Sequence, residues 1–267
     1  MTDSIQHIVA VASGKGGVGK STVTANVALA MAALGKRVGV LDADVYGPSQ
    51  AHMLGIDPST RPPMIDDKTM MPIRAHGLEV MSIAFLVEVS TPMVWRGPMA
   101  STAFQQLFQH TQWGELDYLF IDMPPGTGDI QLTLAQKVPV SGAVIVTTPQ
   151  DIALLDAERG IEMFRKVHVP VLGVVENMAL HVCACCGHEE AIFGTGGGER
   201  IATRYDTPLL GHLPLARSVR EQMDEGYPPV LAAPQSVTAR HYAAIATALD
   251  ETCRGRADRA APTIGFS

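Results

Sequence analysis

The amino-acid sequence predicts an α/β fold with a single domain, in which helices cover both faces of a mostly parallel sheet. Short apolar runs, typical of buried strands, alternate with longer stretches of helical periodicity. The first run leads through a glycine-rich loop into a helix, and two later runs end in aspartate. The chain has 267 residues, and 46% of them are apolar, which is enough for one large core.

Seven apolar runs and four periodic stretches define the predicted elements. Strands are predicted over residues 8–12, 37–41, 78–83, 117–121, 143–147, 169–175 and 209–213. Helices are predicted over residues 23–34, 99–110, 151–166 and 236–253. Residues 57–72, rich in proline, methionine and aspartate, are interpreted as a long surface excursion. We expect the domain to span residues 1–253 and residues 254–267 to form a disordered tail.

Residues 14–21 read G-K-G-G-V-G-K-S, the pattern of a phosphate-binding loop. In such a loop, converging backbone N–H groups and a lysine bind the phosphates of ATP, and a hydroxyl binds Mg²⁺. A glycine-rich turn without a ligand is the alternative, which the order strand, loop, helix disfavours. The residues of this predicted site are Gly14, Lys15, Gly16, Gly17, Val18, Gly19, Lys20 and Ser21.

Carboxylates follow two of the predicted strands, where the ligands of open α/β sheets bind. Asp42 and Asp44 are interpreted as the pair that positions the attacking water and helps to hold Mg²⁺, with Asp42 the first choice for the water. Ordinary turn aspartates are the alternative. Asp122 ends the strand at 117–121 and is predicted to support Mg²⁺. Gly126, in the loop that follows, can bring an N–H group to the γ-phosphate.

The charge and the ends of the chain favour a protein of the cytoplasm. The net charge of −7, with few clustered basic residues, argues against nucleic acid or an anionic membrane as partner. The first seven residues are polar, so we expect no secretory signal, and no apolar run approaches the length of a membrane span.

Three of the four cysteines lie between residues 183 and 186. Cys183 and Cys186 form a C-x-x-C pair followed by glycine, a turn that aims two thiolates at one metal. An iron–sulfur cluster is the favoured occupant, while zinc, a redox dithiol and inert cysteines remain alternatives. A cubane cluster usually takes four thiolates, so a second copy of the chain most simply supplies the other two. Cys185 is expected to point away, and Cys253 to lie on a surface helix.

Two resemblances follow from these motifs. The loop K-G-G-V-G-K-S resembles that of the deviant P-loop ATPases of the MinD/ParA class, in which the first lysine crosses a dimer interface to the partner's nucleotide. This implies the same role for Lys15, for which a solvated loop charge is the alternative. The remaining motifs resemble the Mrp/ApbC family of P-loop iron–sulfur carrier ATPases. They are residues 94–99, 122–129, 176–178, 183–187 and 192–194.

The second resemblance covers nearly the whole chain and implies a function. It implies a homodimer that hydrolyses ATP, holds a [4Fe–4S] cluster between its subunits and hands the cluster to client apoproteins. It also implies that Asn177 recognises adenine and, more loosely, that Pro214 and Leu215 lie near the base.

Three rival functions remain at this point. A MinD/ParA-like positioning ATPase would need a C-terminal amphipathic helix or a basic surface, and the sequence shows neither. A P-loop protein that donates electrons, like the nitrogenase iron protein, would carry its ligand cysteines far apart. A zinc-binding interaction module would leave the phosphate loop unexplained.

Overall fold

The computed structural model describes residues 4–86, 97–183 and 185–260. Its strands are β1 Ile5–Ala12, β2 Val38–Asp42, β3 Ile73–Ala75, β4 Leu78–Ser82, β5 Leu116–Asp122, β6 Gly142–Thr147, β7 Val171–Val182, β8 Glu189–Glu190 and β9 Leu209–Pro214. Its α-helices are α1 Lys20–Ala33, α2 Gln50–Met53, α3 Gly97–His110, α4 Asp129–Lys137, α5 Asp151–Lys166, α6 Gly197–Arg204, α7 Arg217–Asp224, α8 Pro229–Ala232 and α9 Val237–Ala260. A 3₁₀ turn, Ile83–Phe85, follows β4.

The described strands form one sheet in the order β3-β4-β2-β5-β1-β6-β7-β8, and β9 pairs with β7. The pairs β3–β4 and β7–β8 are antiparallel, and the other pairs are parallel. Helices α1 and α9 pack together on one face, and α3 to α6 form the other layer. The carboxyl ends of β1, β2, β5 and β7 therefore share one edge of the sheet, where chain order reverses around β1.

The central strands are buried on both sides, which is why they read as unbroken apolar runs. All residues of β2 and β6 are buried, as are most of β1 and β5. Gly19 directly precedes helix α1, and Gly35 follows its C-terminal end. Both glycines are in the left-handed region, at φ 84° and 83°. These two glycines flank the helix that begins with Lys20.

The predicted fold class is confirmed, and each predicted strand and helix has a counterpart. The helix at 151–166 matches α5 at both ends. Among the strands, the largest difference in length is at β7, which continues to Val182, seven residues beyond its predicted end. Its outer part is paired with β8, so the strand extends past the edge of the main sheet. The segment at 94–96, part of one family motif, lies outside the described residues.

Two predictions about the end of the chain differ from the structure. Residues 254–260 continue helix α9, where a disordered tail was predicted, and residues 261–267 lie outside the described residues. The 2.5 Å ion pair of Arg254 with Asp250, one turn earlier, supports this extension. Cys253 lies on the inner face of α9, which packs against α1 and β9, so its thiol is buried although the opposite face of the helix is exposed.

Among the described residues, none of the helices combines the length and the apolar character that crossing a membrane requires.

The burial of Cys253 predicts a difference in thiol reactivity. Burial raises the pKa of Cys253 to about 11, whereas Cys185 and Cys186 are exposed. Because the thiolate is the reactive form, Cys253 should react with a thiol reagent only after unfolding. Replacing Cys183, Cys185 and Cys186 by serine should leave no fast-reacting thiol in the folded protein. A fast-reacting thiol in that variant, absent once Cys253→Ala is added, would contradict the packing of α9.

Candidate functional site

The loop between β1 and α1 surrounds a cavity of about 190 Å³ at the carboxyl edge of the sheet. Its glycines Gly17 and Gly19 have φ 82° and 84°, which residues with a Cβ rarely adopt. Residues lining the cavity come from the loop, the start of α1, and three other segments. They are Ser13, Gly16, Gly17, Gly19, Lys20, Ser21, Thr22, Asp44, Met53 and Pro125. Loop amides and the N-terminus of α1 thus meet at one place, as phosphate binding requires.

Two close approaches hold this loop in shape. A Cβ at Gly14 would lie 2.1 Å from the backbone carbonyl of Asp156 in α5. A Cβ at Gly19 would lie 2.2 Å from Nδ2 of Asn177 in β7. Both positions therefore require glycine for contact with neighbouring elements, in addition to any need for space around phosphate.

Lys20 lies at the centre of the predicted catalytic residues. Its side chain is 6% exposed, and Nζ lies 2.5 Å from Oδ1 of Asp122 and 3.9 Å from Oδ2 of Asp44. Nζ also donates a 3.2 Å hydrogen bond to the hydroxyl of Ser21. The structure thus brings together four residues that the sequence analysis assigned to phosphate and Mg²⁺.

Asp122 is fully buried and has a second partner that the sequence analysis missed. Nε2 of Gln50 donates to Oδ2 of Asp122 at 2.8 Å and to the carbonyl of Ser21 at 3.0 Å. The hydroxyl of Thr24 completes the set at 3.3 Å from Oδ1. Gln50 begins the short helix α2, which had no periodic signal in the sequence, so nothing in the pattern pointed to it.

Asp42 has a structural environment that does not suit the role chosen for it first. Its Oδ2 accepts hydrogen bonds from the backbone of Ser49 and Gln50 and from the hydroxyl of Ser82, and Oδ1 accepts one from the backbone of Asp44. Burial, followed by repulsion from Asp122, raises the pKa of Asp42 to about 7. The carboxylate of Asp42 therefore anchors the start of α2, with its oxygens already engaged.

Asp44 is the carboxylate of this pair that lines the loop cavity. Its Oδ1 accepts two long hydrogen bonds of 3.3 Å from the backbone of Tyr46 and Gly47, and its Oδ2 faces Lys20. Burial raises the pKa of Asp44, and the charge of Lys20 opposes that change. Of the two candidates, Asp44 has the better position to contact a water molecule or a metal beside the phosphates.

Two predicted nucleotide contacts are occupied by protein atoms in this structure. The N–H of Gly126 donates to the carbonyl of Ser13 at 2.9 Å, so contact with a γ-phosphate requires that bond to open. Nδ2 of Asn177 donates to the carbonyl of Val18 at 2.8 Å. Asn177 therefore supports the phosphate loop here, and its adenine contact stays a prediction. Leu215, the other base-side candidate, donates its N–H to the carbonyl of Leu180.

Lys15 is partly exposed on the loop, and within the described ranges it forms no salt bridge that would tie its ammonium group to its own chain. Its role across an interface stays a prediction.

The cysteine pair lies in the hairpin that joins β7 to β8. The backbone N–H of Cys183 donates to the carbonyl of His188, and the N–H of Gly187 donates to the carbonyl of Cys183, at 2.9 Å each. The N–H groups of Cys185 and Cys186 donate to the sulfur of Cys183 and lower its pKa. Such N–H donation stabilises thiolate, the form that ligates metals. Cys183 is partly exposed and Cys186 exposed, so a ligand has access.

The candidate site thus has two parts, a phosphate loop after β1 and an N–H-supported thiol pair after β7. A family model described as NUBPL iron-transfer P-loop NTPase matches residues 4–250. The chain belongs to this family.

Individual members of the family agree with that assignment. An iron–sulfur cluster carrier protein of Pseudomonas fragi is 64% identical over 243 residues, which cover 91% of this chain and 85% of that protein. The protein of the same description from Escherichia coli K12 is 59% identical over 88% of this chain, which spans 63% of that relative's length. A solved nucleotide-binding protein of Archaeoglobus fulgidus, in complex with ADP, is 39% identical. The match has a TM-score of 0.74 and covers 84% of this chain and 88% of the Archaeoglobus chain.

The ion pair of Lys20 predicts two effects of the substitution Lys20→Ala. Nucleotide binding should be lost, because the charge at the phosphates is removed. The free energy of unfolding should also fall, by about 3–5 kcal/mol, because Asp122 is left buried without its cation. Adding Asp122→Asn should recover much of the stability and none of the binding, as measured by urea denaturation and calorimetric titration with ATP. ATP affinity like that of the unmodified protein in a folded Lys20→Ala variant would contradict the assignment.

The different environments of the two aspartates predict opposite behaviour of their asparagine variants. Asp44→Asn keeps the Oδ1 contacts, so stability should change by less than about 1 kcal/mol while ATP turnover falls about hundredfold or more. Asp42→Asn turns an amide towards at least one backbone N–H donor in either orientation and should cost about 1–3 kcal/mol. Urea denaturation and phosphate release measure the two effects. Normal turnover in Asp44→Asn would return the water-positioning role to Asp42.

Proposed function

We propose that the chain is an ATP-dependent carrier of [4Fe–4S] clusters, which binds the cluster between two copies of itself and transfers it to apoproteins. One observation carries the proposal. Strand β7 contains Asn177, which contacts the phosphate loop, and it ends directly before Cys183, which begins the thiol loop. A nucleotide site and a metal-ligating site are thus built on the same continuous element. The names of the relatives described above point to the same function.

The nucleotide half of the proposal assigns a role to each residue around the cavity. The loop amides and Lys20 bind the phosphates, and Ser21 and Asp122 hold or support Mg²⁺. Hydroxyl and carboxylate oxygens are the ligands that Mg²⁺ prefers, and both kinds lie around Lys20, so the residues present fit the ion. Asp44 positions the attacking water, which makes ATP hydrolysis the expected reaction.

The cluster half of the proposal rests on the number of thiols. Cys183 and Cys186 supply two thiolates, whereas a cubane cluster takes four. Cys253 is buried on the inner face of α9, far along the chain, and Cys185 lies inside the C-x-x-C spacing. The missing pair of ligands therefore comes most simply from a second copy, which makes the chain a homodimer when loaded.

An apolar surface suits such a homodimer. Ile152 and Leu155 are exposed on α5, beside the contact between Asp156 and the phosphate loop. Val182 and Ile192 are exposed on either side of the thiol loop. Burying these side chains against a second copy would bring two thiol loops together. In that dimer, Lys15 is free to reach the partner's nucleotide.

The thiol count predicts the iron content and which cysteines are needed. After anaerobic reconstitution with iron and sulfide, the protein should carry about four iron atoms per two chains. Cys183→Ala and Cys186→Ala should each abolish the cluster absorption and reduce dimer formation. ATP should bind both variants with unchanged affinity, because the loop cavity contains no cysteine.

Two control variants make this experiment specific. Cys185→Ala keeps its backbone N–H, and Cys253→Ala removes a buried thiol, so both should retain the cluster. A stable cluster on a monomer, or iron retained after both Cys183 and Cys186 are replaced, would contradict the proposal. Zinc in place of iron after anaerobic purification would favour a structural metal in the thiol loop.

A further inference from the structure

A second group of metal-ligating side chains lies on the other face of β7. Asn177 faces the phosphate loop, and the preceding residue, Glu176, points to the opposite face of the sheet. Glu176 in β7 and His212 in β9 face each other across the parallel pair, and Glu199 lies in the first turn of α6. Nδ1 of His212 is 3.2 Å from Oε1 of Glu176, and Nε2 is 3.1 Å from Oε1 of Glu199. Neither the phosphates nor the thiols require these three residues.

Glu176 is held in place by the backbone of α6. Its side chain is 2% exposed, and Oε2 accepts a 2.5 Å hydrogen bond from the N–H of Gly198. A Cβ at Gly197 would lie 3.0 Å from that oxygen, and a Cβ at Gly198 would lie 3.0 Å from the Cβ of Glu176. The two glycines thus allow α6 to approach a buried carboxylate closely, leaving Oε1 directed at His212.

The charges of this group do not balance. Two carboxylates face one imidazole, which leaves one negative charge if His212 is protonated and two if it is neutral. Among the described residues, the ion pairs of Glu176 and Glu199 involve His212 alone. The two arginines of α6 pair elsewhere, since Arg200 contacts Asp151 and the carbonyl of Thr195, and Arg204 contacts Glu158. A divalent cation would neutralise both carboxylates and allow the imidazole to remain neutral.

We propose that Glu176, Glu199 and His212 form a binding site for a divalent transition metal, with zinc or cobalt as suitable ions. One nitrogen of the histidine and one oxygen of each glutamate lie within 4.8 Å of one another. Ligand atoms on one zinc ion lie about 3.0–3.5 Å apart, given its bond lengths, so side chains of the set must rotate to bind the ion. Glu199 is 52% exposed and His212 40% exposed, so these two can rotate, and water can complete the coordination.

Imidazole with carboxylate is a donor set that zinc, cobalt and ferrous iron accept and that Mg²⁺ does not favour. Bound metal would link α6, β7 and β9 at the base of the thiol hairpin, and so fix the strand that leads to Cys183. The site is separate from the thiols, since it shares no residue with them.

Cobalt titration of a variant without the thiol loop ligands tests this site. The full chain with Cys183, Cys185 and Cys186 replaced by serine is stripped with a chelator and titrated with Co²⁺ in the absence of nucleotide. We expect one Co²⁺ per chain by calorimetry, ligand-field absorption without a sulfur charge-transfer band, and a higher melting temperature with the metal. In that background, Glu199→Gln and His212→Asn should each weaken binding by at least about tenfold.

Exposed residues of the same types supply matched controls. Glu251→Gln and His241→Asn on α9 should leave Co²⁺ affinity unchanged. Because Glu199 and His212 are both partly exposed, their variants should fold, which circular dichroism verifies. Absence of Co²⁺ binding at large excess would overturn the proposal and identify His212 as an imidazolium that bridges two glutamates. Binding that persists unchanged in both Glu199→Gln and His212→Asn would overturn it as well, by placing the metal elsewhere.

Discussion

The arrangement of the nucleotide site depends on one ion pair, between Lys20 and Asp122. Parallel pairing of β2 with β5 aligns Asp42 with Asp122, which puts two carboxylates at one buried edge of the sheet. Such a pair is costly unless cations or N–H donors compensate it. Lys20 compensates Asp122, and the start of α2 compensates Asp42. The same lysine is the residue proposed to bind phosphate, so the buried charges keep it positioned at the loop.

The sequence was sufficient for the parts of this arrangement that follow from local pattern. Apolar runs ending in aspartate predicted the edge where Asp44 and Asp122 meet, because parallel strands bring their carboxyl ends together. The pattern could not separate the roles of Asp42 and Asp44. That difference depends on α2, a helix of four residues whose N–H groups engage Asp42. Gln50, which supports Asp122 from that helix, was missed for the same reason.

Features that join distant elements were beyond sequence reasoning altogether. The side chains of Glu176, Glu199 and His212 come from β7, α6 and β9, and only the packing of α6 against the strands brings them together. The helical stretch at 236–253 predicts that Cys253 lies on a surface helix but does not show which face of the helix it occupies. The structure buries the thiol because α9 presents that side to α1 and β9. In each case the deciding contact joins residues that are far apart along the chain.

The predicted end of β7 is the error with the most consequence for function. A strand ending near residue 175 would leave the thiol loop on a separate segment, connected to the nucleotide site only by irregular chain. The observed strand runs from Val171 to Val182 and changes register against β9 beyond Glu176, where Met178 has φ 57°. Five residues of strand separate Asn177 from Cys183, a distance of at most about 20 Å. Under the proposed function, movement of the phosphate loop therefore has a hydrogen-bonded route to the thiols, through Val18, Asn177 and the backbone of β7.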